Sequence, residues 1–274
     1  MEKAIHQCLP IRIQHDAIYG CIICLFSASE TTISFDSPMR INKYICNSGT
    51  RSRKAADVCV KKGVVFINRK QAMLGDKVSP GDTVTVDGLV IEPLATDKVI
   101  FIALNKPVGV VCTAESAEKR NIIDFIGHSS RIFPVGRLDK DSQGLILLTN
   151  RCDLVDKIVG SSSRREKEYL VTVDNAITDD FIASMISGVP ILGVVTKECK
   201  AVKESEFIFR ITLVQGLNRQ IRRMCKHYHY SVEKLERVRI MHIDLSDLAI
   251  GQWRYLTEEE LSELVRQLEK EPSN

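Results

Sequence analysis

Residue types able to do chemistry gather at two places in this chain. The first is Arg137-Leu138-Asp139-Lys140-Asp141-Ser142, set between Phe133-Pro134-Val135-Gly136 and an apolar run from Gly144. A polar loop bounded by glycines and feeding a buried strand suits a reactive carboxylate, because the strand fixes what the loop presents. A carboxylate held there can act as nucleophile or as base. A solvated turn with an Arg–Asp contact accounts for the same spacing, as weak surface ion pairs often do. The second place is Gly216 to Tyr228. Asn218 is placed to cap a helix on which Arg219, Arg222, Arg223 and Lys226 fall at i, i+3, i+4 and i+7, while Ile221, Met224, Cys225 and Tyr228 take the opposite face. Like charges at this spacing cost a few tenths of a kcal/mol per pair. A polyanion or a carboxylate opposite would offset that. A solvated helix face is the plainer reading, weakened by the scarcity of acids on that face.

Lys234, Arg237 and Arg239 extend the basic zone beyond this helix. Lys167-Glu168-Tyr169 opens a strand after the basic pair Arg164-Arg165. A tyrosine at a strand start is core or rim, or a flat platform for an unstacked base. Other candidates are weaker. Cys21-Ile22-Ile23-Cys24 has metal-like spacing but no second pair, and His227 and His229 lack a matching cysteine or carboxylate pattern. Neither a phosphate-loop motif nor a dinucleotide-binding glycine fingerprint occurs. No metal and no nucleotide cofactor are therefore expected.

The elements that must position these residues fall into a small module and a large one. Ile41, Tyr44 and Ile45 share a helix face ending at Gly49, and Ser52 caps a second helix that ends at Gly63. Val64 to Ile67 reads as a strand, and Ser79-Pro80-Gly81-Asp82 turns into alternating Val84 and Val86. Glu92 to Lys98 reads as a linker. Strands are then expected at Val99 to Leu104, Val110 to Thr113, Gly144 to Leu148, Tyr169 to Val173 and Phe207 to Val214. Thr178 caps a helix stopping at Gly188, and Thr257 with Glu260 forms a capping box for a final amphipathic helix. The expected architecture is α+β.

The chain has 274 residues, 44% hydrophobic, with a formal net charge of +3. That length suits one large domain and one small one. The charge is unevenly spread: residues 1–38 carry a net −2, residues 39–95 a net +5, and residues 96–274 are neutral. A small basic module ahead of a neutral one suits a nucleic-acid partner, although a well-solvated small domain fits too. Nine scattered cysteines do not form a disulfide framework and fit a reducing cytosol. The apolar run at residues 17–28 is shorter than the ~20 residues a bilayer requires. A cytoplasmic protein with no membrane association is expected.

Taken together, these segments resemble the ribosomal RNA pseudouridine synthases. Gly136-Arg137-Leu138-Asp139, followed by Ser142-Gln143-Gly144-Leu145-Ile146-Leu147-Leu148-Thr149-Asn150, is similar to the active-site signature of that family. Lys106-Pro107, Lys167-Glu168-Tyr169 and Gly216 to Met224 join it in the family's order. Residues 39–95 resemble the S4-like (alpha-L) RNA-binding domain, through Arg40-Ile41-Asn42-Lys43-Tyr44-Ile45 with Ser48-Gly49 and Ser52-Arg53. The resemblance implies an RNA-binding domain at 39–95 and a catalytic domain at 98–257; residues 1–38 are an N-terminal extension that departs from the family's pattern, and 258–274 are read as a C-terminal helix and tail. It implies a mixed, largely antiparallel β-sheet with flanking helices and a central cleft.

The resemblance also implies roles. Asp139 is the expected catalytic aspartate, Arg222 the cation that pairs with it, and Tyr169 the residue stacking on the target base. Arg40, Lys43, Arg53, Lys54, Arg137, Lys167, Arg219, Arg223, Lys226, Arg237 and Arg239 are the expected RNA contacts. The reaction is isomerisation of uridine to pseudouridine, in which the glycosidic bond breaks and the ring rejoins through carbon. The base must first leave its stack, at a cost of a few kcal/mol. Phosphate contacts and an aromatic platform offset this. A guanidinium within ~4–6 Å favours a charged carboxylate despite burial. The expected substrate is 23S rRNA, bound by a monomer without cofactor or metal. A non-catalytic RNA-binding or ribosome-assembly factor, and the same reaction on small-subunit rRNA or tRNA, are the competing readings.

Overall fold

The computed structural model describes residues 38–93, 99–115, 117–159 and 165–269. The expected extension up to residue 37, with its Cys21/Cys24 pair, Arg164 and residues 94–98 of the expected linker lie outside the described residues.

Residues 39–91 form a small unit. Its elements are β1 (Met39–Arg40), α1 (Ile41–Asn47), α2 (Arg53–Lys61), β2 (Val65–Ile67), β3 (Lys70–Gln71), β4 (Lys77–Val78), β5 (Val84–Val86) and β6 (Leu89–Ile91). Helix α2 starts where expected, because the Ser52 hydroxyl accepts from the Ala55 N–H and satisfies a free amide of the first turn. Ile41, Tyr44 and Ile45 of α1 and Ala56 and Val60 of α2 are buried against Val65, Val84 and Val86 of a four-stranded sheet. Cys46 is disulfide-bonded, contrary to the expectation of reduced thiols, whereas Cys59, Cys112, Cys199 and Cys225 are free.

The large unit comprises β7 (Phe101–Lys106), α3 (Ile122–Ile126), β8 (Phe133–Val135), β9 (Gln143–Thr149), α4 (Cys152–Val159), β10 (Lys167–Val173), α5 (Asp179–Ser187), β11 (Pro190–Ile191), β12 (Val194–Val195), β13 (Lys200–Lys203), β14 (Ile208–Leu213), α6 (Gln220–His227), β15 (Val232–Ile240), β16 (Ile243–Asp244), β17 (Trp253–Tyr255) and α7 (Glu258–Glu269). Seven strands run in the order β13-β14-β10-β15-β9-β7-β17, with β16 and β8 added on β15 and β9. Of the described pairings in this sheet only β15 with β9 is parallel. The mixed, largely antiparallel α+β architecture that the resemblance implies is therefore present. Strands β7 and β9 are buried along their whole length because helices and loops cover both faces. In β14 burial alternates, with Phe209, Ile211 and Leu213 turned to one core.

Two expectations differ from the structure. Val110 to Thr113 is not a strand; it makes a single bridge, Val111 to Asn121. The Val110 carbonyl is taken instead by the buried Lys106 ammonium, at 3.0 Å. Conversely β15, sequence VEKLERVRI, is the longest strand among the described residues, and the sequence pattern does not predict it. Its charges disguise a central strand in which Lys234 pairs with Glu236, Arg239 pairs with Glu166 and Glu168, and Arg237 is buried.

Candidate active site

Register builds the site before any side chain is considered. Gly144 of β9 stands opposite Arg237 of β15, and Arg237 opposite Tyr169 of β10. These three residues form one row across the middle of the sheet. Two apolar cores flank the row. Ile146 and Leu148 pack with α3 and Leu138 on one side, and Val171, Phe209 and Leu235 pack with α5 and α6 on the other. Tyr169 touches both cores, so its ring stands at the seam between them. Gly144 has φ +107°, and a Cβ there would lie 2.3 Å from the Arg237 carbonyl oxygen. Only glycine permits that approach.

The carboxylate loop runs from Arg137 into this row and is fastened at several points. Leu138 is buried, and its N–H donates to Cys112 Sγ at 3.4 Å. Gly109 N–H donates to the Lys140 carbonyl at 2.7 Å, and Ser142 N–H to the Asp139 carbonyl at 3.1 Å. Arg237 donates to the carbonyls of Leu145, at 2.6 Å, and Arg137, at 3.4 Å, on either side of the loop. Asp139 is thus held from both flanks, with its side chain one-third exposed.

Helix α6 brings the cations. Its apolar residues Ile221, Met224 and Cys225 are buried, as their spacing predicts, and burial pushes the Cys225 thiol up to about 12. The start differs from expectation. Asn218 does not cap; Arg219 is the N-cap residue, in a left-handed conformation at φ 50°, ψ 39°. Asn218 instead receives the Arg223 guanidinium on its carbonyl and side-chain oxygens. The cation beside Asp139 is Arg219, at 3.5 Å, and not Arg222. Arg219 also forks onto Asp141 with bonds of 2.9 and 2.7 Å. Arg222, nearly covered, donates to the Asp141 carbonyl at 2.9 Å, Ser142 Oγ at 3.1 Å and the Val232 carbonyl at 3.1 Å. Its Nε lies 3.6 Å from Asp141 Oδ2. The expected pair between Asp139 and Arg222 is therefore replaced by a four-residue cluster. Left-handed Arg219 carries its fork to the loop, while Arg222 is spent on the loop's backbone. The Arg219 hydrogen bonds, aided by the charge of Arg222, hold the Asp141 carboxyl below its ordinary range.

Near this cluster lie two buried cations, Lys106 and Arg237, and a partly buried one, Lys167, that sequence reasoning did not single out or placed elsewhere. Lys106 is fully buried and donates to the carbonyls of Pro107 and Val110. Burial lowers its pKa, against the opposing pull of Cys112, Asp141 and Asp139. Arg237 is 3% exposed, and its Nη2 makes no hydrogen bond among the described residues. Lys167 donates to the Arg165 carbonyl, and burial followed by the Arg237 charge brings its pKa down to about 8. The signal for Lys106 was present in its position between an apolar strand and Pro107; Arg237 looked like surface charge.

The remaining expected contacts are dispersed. Arg137, Arg223 and Lys226 are exposed near the loop and on α6. Arg239 is turned to the opposite face, where Glu168 and Glu166 hold it at 2.9 and 3.1 Å. Arg237 and Arg239 thus do not extend the exposed basic zone. The first is buried and the second neutralised. In the small unit Arg40 is exposed, Lys43 and Arg53 are partly exposed, and Lys54 pairs with Glu115 of the large unit at 2.7 Å. Among the described residues no group of three or more His, Cys, Asp or Glu side chains is arranged to hold a metal ion. No helix among them is long and apolar enough to cross a membrane.

Comparison with known proteins gives consistent similarities. Residues 100–227 match the RNA pseudouridylate synthase family. The chain is 58% identical over 238 residues to the dual-specificity RNA pseudouridine synthase RluF of Escherichia coli strain K12, covering 87% of this chain and 82% of that protein. It is 32% identical over 234 residues to the ribosomal large subunit pseudouridine synthase B of Bacillus subtilis strain 168, covering 82% of this chain and 95% of that one. Among solved structures, a crystal structure of a pseudouridylate synthase superposes with a TM-score of 0.61 at 26% identity, over 82% of this chain and 99% of that one.

Proposed function

The chain belongs to the RNA pseudouridylate synthase family, and from that premise we propose that it isomerises uridine in ribosomal RNA, with 23S rRNA as substrate and Asp139 as the reacting carboxylate. The observation that carries the assignment of Asp139 is its placement. Two carboxylates stand on the loop that Arg237 holds at its flanks and that enters the Gly144–Arg237–Tyr169 row; the Arg219 fork is bonded to Asp141, and Asp139 is the one left beside it at 3.5 Å.

In this reading Tyr169, at the seam of two cores, stacks on the extruded base. Asp139 attacks the sugar or takes the proton of the neighbouring carbon; either role uses the same charged oxygen. Arg219 orients it. Arg222 positions the loop through the Asp141 carbonyl and Ser142 rather than touching Asp139. Exposed Arg137, Arg223 and Lys226 contact phosphates, which fix register without reading sequence. The unit at 39–95, net +5, is the second RNA anchor. The working form is a cytoplasmic monomer.

The test is pseudouridine mapping of total RNA from cells lacking the gene and from the same cells with it restored. A 23S site that disappears and returns supports the reading; unchanged 23S rRNA contradicts it. The similar Escherichia coli enzyme is named for dual specificity, so tRNA and small-subunit rRNA belong in the same map.

A further inference from the structure

Arg219 stands in a conformation that residues with a Cβ seldom adopt. At φ 50° and ψ 39° it lies in the left-handed region, which strains a non-glycine residue. Its neighbour Asn218 would tolerate that conformation better. Nor does the Arg219 side chain cap α6. What it does is lay a two-pronged guanidinium on Asp141, at 2.9 and 2.7 Å, with one prong also 3.5 Å from Asp139. Arg222 adds its Nε at 3.6 Å from the same Asp141 oxygen.

A guanidinium fork fits a carboxylate and a phosphate equally well. The Asp141 carboxylate therefore occupies a seat of the right shape and charge for a backbone phosphate. The seat is open: the two side chains are 41% and 48% exposed. A pair this exposed is worth little and exchanges readily. The contrast with Arg222, 13% exposed and bonded to three backbone or hydroxyl oxygens, separates the exchangeable cation from the structural one.

We propose that Asp141 is an internal competitor for an RNA phosphate at the Arg219 fork: it keeps Arg219 extended beside Asp139 in the free enzyme and yields when the target strand arrives. This rests on the RNA reading of the site. Displacement of Asp141 lowers the affinity for substrate and product strands alike, and so hastens release of the modified RNA.

The experiment is a double-mutant cycle on RNA binding. Dissociation constants are measured for the parent, Asp141→Asn, Arg219→Gln and the double variant. The probe is a fluorescein-labelled hairpin transcribed from the rRNA segment that mapping identifies. Asp141→Asn is expected to tighten binding about two- to fivefold, the range that an exposed ion pair supports. Its salt dependence becomes steeper, because no freed carboxylate takes back a cation. In the Arg219→Gln background the same change has no effect. Unchanged affinity in Asp141→Asn overturns the proposal. So does tightening that persists without Arg219, which would be the general gain from losing a negative charge. A parent protein that binds no rRNA hairpin overturns the RNA reading itself and is told apart by that first measurement.

Discussion

On one side of β10 and β15 the cations are satisfied. Arg239 meets Glu168 and Glu166 at 2.9 and 3.1 Å, and Arg210 meets Glu168 and Glu204 at 2.6 Å each. Those carboxylates raise the pKa of both arginines above the ordinary value, against the opposing effect of burial. On the side of the carboxylate loop, Lys106, Lys167 and Arg237 have no carboxylate within ion-pairing distance among the described residues. Burial lowers both lysines instead. The same sheet therefore carries a neutralised network on one face and uncompensated positive charge on the other. Carbonyl oxygens and the loop acids Asp139 and Asp141 make that charge tolerable. A fold needs the first arrangement only for stability. The second has a cost in desolvation that is understandable where an anion is to be received.

Three changes test the contrast. The largest effect is expected at Gly144→Ala, which forces a Cβ to within 2.3 Å of the Arg237 carbonyl at φ +107°. The site row cannot close, and the variant should lose at least ~3 kcal/mol in urea denaturation. A loss under ~1 kcal/mol would mean that the two strands are not held together as described. Next come two cations of opposite standing. Arg239→Met should lower stability at pH 7 by about 1–2 kcal/mol, since Glu168 and Glu166 lose a partner. Lys167→Met should raise it by about 1 kcal/mol, since a desolvated charge is replaced by apolar surface.

The Lys167 effect has a definite pH window. Its pKa of about 8 in the folded chain lies below the ~10.4 of an unfolded lysine. Between these values the unfolded chain binds a proton that the folded chain has released, so this group makes stability rise with pH. The advantage of Lys167→Met is full below pH 8 and shrinks to its apolar remainder towards pH 10.4. An advantage independent of pH would remove the charge-based account of the face that carries the carboxylate loop.

Much of this was legible in the residues. The α2 cap at Ser52, the α5 cap at Thr178 and the capping box of Thr257 and Glu260 all form as local patterns dictate. These depend on atoms within three positions of one another. The carboxylate loop and the basic helix were legible as separate motifs, because each has its own periodicity and punctuation. Their meeting point was not. Which arginine faces Asp139 depends on the left-handed turn at Arg219, and nothing in Gly216-Leu217-Asn218 announces it. Charge was the most misleading signal. Arg237 and Arg239 are two residues apart in β15, yet one is buried in the Gly144–Tyr169 row and the other is paired on the far face. The register shift between Glu168 and Tyr169 separates them, and a long-range bulge leaves no trace in a local pattern.

The claim on which the rest depends is that the oxygen acid at position 139 carries the reaction. It is tested most directly by single-turnover assay of Asp139→Asn on the rRNA hairpin, with hairpin affinity measured alongside. Pseudouridine formation is expected to fall by about 10²- to 10⁴-fold or more, in line with loss of a catalytic acid or base, while the dissociation constant stays within a few-fold of the parent. Turnover within tenfold of the parent, with binding intact, would contradict it.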